Sequence, residues 1–193
     1  MADGDDTVGD YGRGMPIVPD DKNWTWVLET DCPQCGFSGA NYSAADAPAD
    51  VLANAAQWRE LLAHPRARDR PDDSTWSALE YGCHVRDVFR LYLYRLGLML
   101  EEDGPHFPNW DQDDTAVADR YGEQDPQVVA DELTHAAAAL ADAFAAVDAD
   151  QWQRTGFRSD GAAFTIDTFT RYFVHDPVHH VWDVQEGYAS LGG

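Results

Sequence analysis

Apolar side chains recur at helical spacing in four stretches of the chain, and polar residues fill the positions between them. Val51, Leu52, Ala55, Trp58, Leu61 and Leu62 follow the i, i+3, i+4 rule and predict a helix from about Pro48 to His64. Proline fits its first turn, where the missing N–H has no partner to lose. Pro65 ends it, because the residue before a proline is driven out of the helical region. A second pattern through Trp76, Leu79, Cys83, Val88, Leu91, Leu98 and Met99 predicts a helix from near Ser74 to about Glu102. Ser74 or Thr75 can cap it. At about 29 residues this helix would be about 43 Å long, a length that suits a bundle.

A third pattern begins at Pro126 and runs through Val128, Val129, Leu133, Leu140, Phe144 and Val147. A fourth starts near Thr165, carries Ile166, Phe169, Tyr172 and Phe173 inward, and ends before Gly187. Between the second and third lies a long connection, Asp103 to Asp111, in which Trp110 is expected to pack over the bundle and rim a pocket. A short helix is expected around Thr115 to Tyr121. Gly156 and Gly161 mark a hairpin or loop between Trp152 and Phe164. The expected fold is all-α: an up-down four-helix bundle with long crossover loops. Residues 1–22 are rich in Gly and Asp, lack periodicity and read as a mobile acidic arm, leaving residues 23–193 as one domain.

Composition narrows the function. The formal net charge is −22, with Lys22 as the single lysine. A surface so poor in cations does not suit the phosphates of nucleic acid or an anionic membrane. Such acidity suits a salty cytoplasm, and a biased coding composition would produce it equally well. No apolar run approaches the roughly 20 residues that span a bilayer. The acidic start of the chain is unlike a secretory signal, so a cytoplasmic location is expected. Three cysteines argue against a disulfide framework.

The candidate chemistry lies in histidines. Tyr172-Phe173-Val174-His175-Asp176-Pro177-Val178-His179-His180-Val181-Trp182-Asp183 places three of the seven histidines within six residues. His175 and His179 are one helical turn apart and share a face. His84, midway along the second helix, would add a third nitrogen ligand if the two helices face each other. Three ligands leave a position for water or substrate, the mark of a catalytic metal site. Zn²⁺ or Ni²⁺ is the expected ion for an imidazole-rich set, with Fe²⁺ and Mn²⁺ as alternatives. His180 points about 100° away from His179 and is set aside, although a bulge at Pro177 would exchange the two. Asp87 and Asp183 are candidates to orient the imidazoles. A zincin is a weaker reading, since Asp176 stands where His-Glu-x-x-His needs its glutamate.

Cys32-Pro33-Gln34-Cys35-Gly36 has the spacing of half a zinc ribbon without the second cysteine pair. Reduced thiols packed against Trp24 or Trp26 are the first expectation. A Cys₂His₂ site completed by His64, His106 or Cys83 is the second. Cys83 itself reads as a small buried hydrophobe.

Trp76-Ser77-Ala78-Leu79-Glu80-Tyr81-Gly82-Cys83-His84, together with His175-Asp176-Pro177-Val178-His179-His180, resembles the DinB-like superfamily. The resemblance spans about Pro48 to Tyr188. It implies a four-helix bundle with a long second helix, a metal triad of His84, His175 and His179, and homodimeric association. Relatives of this kind use the metal to activate a low-molecular-weight thiol such as mycothiol or bacillithiol, as S-transferases or thiol-dependent isomerases. In the isomerase branch a glutamate replaces one histidine, a feature this triad does not share. The resemblance therefore implies a metal-dependent S-transferase acting on a thiol and a small-molecule substrate. A metal-assisted hydrolase and a non-catalytic, metal-stabilised bundle are the alternatives.

Overall fold

The structure is a computed structural model and describes residues 24–192; the acidic arm expected over residues 1–22 lies outside them. Among the described residues the chain opens with a 3-10 turn at Trp24–Leu28, and a second at Ala44–Asp46 leads into α1, Ala47–Ala63. His64 adopts an extended conformation before Pro65, which ends the helix as the sequence predicts.

Helix α2 spans Ala78–Glu101, about 36 Å at 1.5 Å per residue. It begins four residues later than the apolar pattern implied, because the cap is Ser77 and not Ser74 or Thr75. Ser77 accepts from the Glu80 backbone, and the Glu80 side chain accepts from Ser77 N–H at 2.9 Å, forming a reciprocal capping box. Ser74 and Thr75 instead bond to Asp72 in the preceding turn.

The short α3, Gln112–Ala118, is capped by Asp111, and α4, Pro126–Ala145, is capped by Asp125 with proline in its first turn. The glycine-bearing segment that follows is an antiparallel hairpin of β1, Thr155–Phe157, and β2, Ala163–Thr165. Helix α5, Ile166–Ser190, then runs unbroken through Pro177.

Helices α1, α2, α4 and α5 make the four-helix bundle. Helix α4 packs along both α1 and α2, and α5 packs along the same two helices. Trp58, Leu79, Phe89, Leu133, Leu140, Phe144 and Phe173 are all buried where these faces meet. The loop after α2 is tied to the hairpin by Phe107 N–H donating to Phe157 O and Phe157 N–H donating to Pro105 O, both at 2.8 Å. That tie carries the chain segment holding Trp110 back over α2. No helix among the described residues is long and apolar enough to cross a membrane.

Candidate metal centre

Helix α5 carries two interleaved pairs of ligand-type residues, each spaced by one turn: His175 with His179, and Asp176 with His180. Adjacent positions on a helix point about 100° apart, so the pairs address different neighbours. The structure sends them to different clusters.

Asp176 and His180 meet His84 from α2, and one donor atom of each lies within 4.8 Å of the others. His84 Nε2 is 3.5 Å from Asp176 Oδ1, and His180 Nε2 is 3.7 Å from Asp176 Oδ2. His84 is 1% exposed, yet neither of its ring nitrogens makes a hydrogen bond, and the Asp176 Oδ1 atom is likewise buried without a hydrogen bond. Such orphaned buried groups are costly unless something else satisfies them. Two imidazoles and a carboxylate converging on one point form a donor set suited to a divalent transition metal. Burial opposes the charge on Asp176, but the His180 and His84 imidazoles outweigh it and hold the carboxyl at about 2. It is therefore ionised and ready to ligate.

The second layer orients the first. Asp183 Oδ2 lies 2.8 Å from His180 Nδ1. An ionised carboxylate only accepts, so this contact keeps the proton on Nδ1 and leaves the Nε2 lone pair for the centre. Trp110 stacks on His84 with ring centroids 5.6 Å apart and planes inclined by 26°, while Trp76 approaches the same ring at 5.4 Å. Tyr81 lies against His180 at 4.9 Å. Aromatic rings thus flank both imidazoles, and His84 is closed off from water.

His175 and His179 face the amino-terminal turn, where their donor atoms lie within 4.8 Å of the thiols of Cys32 and Cys35. The expected set of His84, His175 and His179 is therefore not brought together as one cluster. His84 is joined by Asp176 and His180 instead, and Pro177 introduces no bulge. Burial, reinforced by the adjacent His179, pushes His175 down to about 4, so its ring is neutral near pH 7.

Asp87 does not orient His84 as anticipated. It pairs with Arg86 at 2.9 Å and accepts from the Tyr121 hydroxyl at 2.7 Å. Nor do His64, His106 or Cys83 complete the cysteine pair. His64 packs at a tilt against Tyr188, and His106 stacks on Phe157. Cys83 is buried against Tyr121 O at 3.8 Å, and burial pushes its thiol up to about 12. It behaves as the small hydrophobe its position suggested. Asp176 and His180 were not expected beside His84, although their spacing carries the same signal as that of His175 and His179.

A four-helix bundle with a histidine–carboxylate cluster between its second and last long helices defines a class of metal-site bundle protein. The chain belongs to the DinB superfamily, whose sequence profile matches residues 62–184. Its fold is similar to that of YfiT from Bacillus subtilis, described as a probable metal-dependent hydrolase with an unusual four-helix bundle topology. The two share 16% identity at a TM-score of 0.69, over 85% of this chain and 91% of that one. Among curated proteins, none matches this chain in sequence.

Proposed function

We propose that this protein is a metal-dependent enzyme whose centre is held by His84, Asp176 and His180. The observation that carries the reading is the convergence of buried His84 with the half-buried Asp176 and His180, with both His84 nitrogens and Asp176 Oδ1 buried and lacking any hydrogen-bond partner. A divalent cation held there supplies Lewis acidity to a nucleophile or to a polarised substrate bond. The chain's own residues do the rest. Asp183 fixes the His180 tautomer, Asp176 brings negative charge, and Trp76 and Trp110 keep bulk water away from His84.

Activation of a low-molecular-weight thiol for transfer to an electrophilic small molecule is the reaction class that the family resemblance favours. A set of two histidines and one carboxylate also comes nearer to the isomerase pattern than an all-histidine triad does, with aspartate where that branch has glutamate. Metal-assisted hydrolysis is the second reading, favoured by the description of the structurally similar YfiT.

The test uses the full chain loaded with Zn²⁺ or Ni²⁺ and compares it with Asp176→Ala. Consumption of an electrophile such as a chlorodinitrobenzene that needs both metal and mycothiol or bacillithiol, and that falls about a hundredfold or more in the variant, supports thiol transfer. Metal-dependent ester or amide cleavage without a thiol supports hydrolysis. Binding of metal with neither activity across a panel of thiols and esters would sink the enzymatic reading and leave a metal-stabilised bundle.

A further inference from the structure

Cys32 and Cys35 take no part in the His84 centre, yet the fold gives them a defined setting. They lie on a tight turn closed by Cys32 N–H donating to Phe37 O at 2.8 Å and Gly36 N–H donating to Cys32 O at 2.9 Å. Gly36 has φ +74°, the left-handed conformation that glycine reaches without steric cost. The turn aims both thiols at the side of α5 that bears His175 and His179. Cys32 Sγ is 3.6 Å from His179 Nδ1, and all four residues offer a donor within 4.8 Å of the rest. Cys32, His175 and His179 are buried and Cys35 is partly buried; His175 Nε2 is buried with no hydrogen-bond partner. Trp24, Trp26 and Phe37 close over His175, and Trp182 covers His179.

We propose that Cys32, Cys35, His175 and His179 form a Cys₂His₂ zinc site, distinct from the His84 centre, that staples the amino-terminal turn to α5. Two thiolates and two imidazoles are the donor set of closed, four-coordinate structural zinc sites. Thiolate softness selects zinc over magnesium or calcium, whose preferred ligands are oxygens. The division of labour follows from ligand number. Four protein donors leave no position for substrate, whereas the three at His84 leave the centre open.

The segment from Trp24 to Asp46 needs such a staple. Its regular structure is limited to two 3-10 turns, and short elements of this kind do not hold themselves in place. A metal that ties residues 32 and 35 to residues 175 and 179 closes a long loop, where a clip removes the most entropy from the unfolded chain. The two sites sit back to back on α5, and Asp183 lies between them, 2.8 Å from His180 Nδ1 and 3.7 Å from His179 Nε2.

Three measurements on the full chain, prepared under reducing conditions in zinc-containing medium, test the assignment. In the double variant His84→Ala/His180→Ala, which removes the other centre, about one zinc per chain is expected. Its X-ray absorption should show two sulfur and two nitrogen neighbours, with Zn–S at about 2.3 Å. In Cys32→Ser/Cys35→Ser the zinc content should fall by one equivalent. Should either variant fail to fold, cobalt exchanged into the unaltered protein should give an intense near-ultraviolet thiolate-to-cobalt charge-transfer band. A zinc shell without sulfur, or cobalt-loaded protein without that band, overturns the proposal. So does zinc-free protein whose two cysteines are recovered as a disulfide or as free thiols. One zinc in the unaltered protein with a wholly two-sulfur, two-nitrogen shell would uphold this site while removing the one proposed at His84.

Discussion

Asp183 reaches His180 Nδ1 at 2.8 Å, so the carboxylate that sets the ring's tautomer stands one turn further along the same helix. The imidazole is held between Asp183 on one nitrogen and Asp176 on the other, with Asp176 Oδ2 3.7 Å from Nε2. A ligand oriented in this way loses little freedom when it binds a cation.

Replacing Asp183 by Asn should therefore leave the fold intact and weaken the His84 centre. The expected loss is about ten- to a hundredfold in affinity for Zn²⁺ or Co²⁺, as for other carboxylates that orient ligating imidazoles. Titration with Co²⁺ followed by visible absorption measures it, with circular dichroism as the check on folding. Unchanged affinity would mean that the ring is positioned by packing alone.

Asp176 tests which pair on α5 belongs to the centre. Asp176→Ala should remove one metal equivalent and the associated activity, whereas Asp176→His should keep the metal by supplying a third imidazole at the same place. Elemental analysis of both proteins decides the matter. Full metal retention in Asp176→Ala, with loss in His175→Ala at the His84 centre, would restore the grouping of His84 with His175 and His179.

The capping box of α2 predicts a particular acid sensitivity. Burial alone would raise Glu80, but hydrogen bonds from Arg70 and Ser77 and the charge of Arg70 outweigh it and hold the carboxyl below its ordinary value. The folded chain thus takes up this proton less readily than the unfolded chain. The stabilisation is complete above the ordinary glutamate value of 4.5 and is lost as pH falls through the depressed folded value. Glu80→Gln should cost about 2–4 kcal/mol at pH 7, because it removes the carboxylate bonded to the part-buried Arg70 guanidinium and weakens the cap. It should also flatten the acid side of the stability profile. Urea denaturation at pH 7 and near pH 4 reads both effects.

Gly156 fixes how closely the hairpin approaches the bundle. A Cβ there would lie 2.5 Å from Phe107 Cζ and 3.0 Å from Met99 Cγ, and both side chains are buried. Gly156→Ala should therefore destabilise the protein by about 1–3 kcal/mol through overpacking. Because Phe107 is bonded to Phe157 within the same loop that carries Trp110, tryptophan fluorescence should shift as well. Thermal unfolding gives the first quantity and an emission spectrum the second.

The sequence by itself determined the helices and singled out the histidines and cysteines that the two clusters draw on. Apolar spacing placed α1, α4 and α5 to within a few residues, because periodicity on one face is a local property of the chain. The start of α2 was less legible. Several hydroxyl residues precede it, and only the reciprocal bonds between Ser77 and Glu80 single one out. The Cys-x-x-Cys turn and the His-x-x-x-His spacing were visible, as was the possibility of metal chemistry.

What only the tertiary structure decided is the grouping. Helical geometry fixes the angle between His175 and Asp176 but not the rotation of α5 about its own axis. That rotation is set by Phe169, Phe173, Val181 and Val184 packing into the core. With those residues buried, α5 presents ligand-type side chains on two sides of its core stripe, not one. Asp176 and His180 turn to His84, and His175 and His179 turn to Cys32 and Cys35, some 140 residues away along the chain. A single inward face was the natural reading of one helix in isolation; neighbours on both flanks made two.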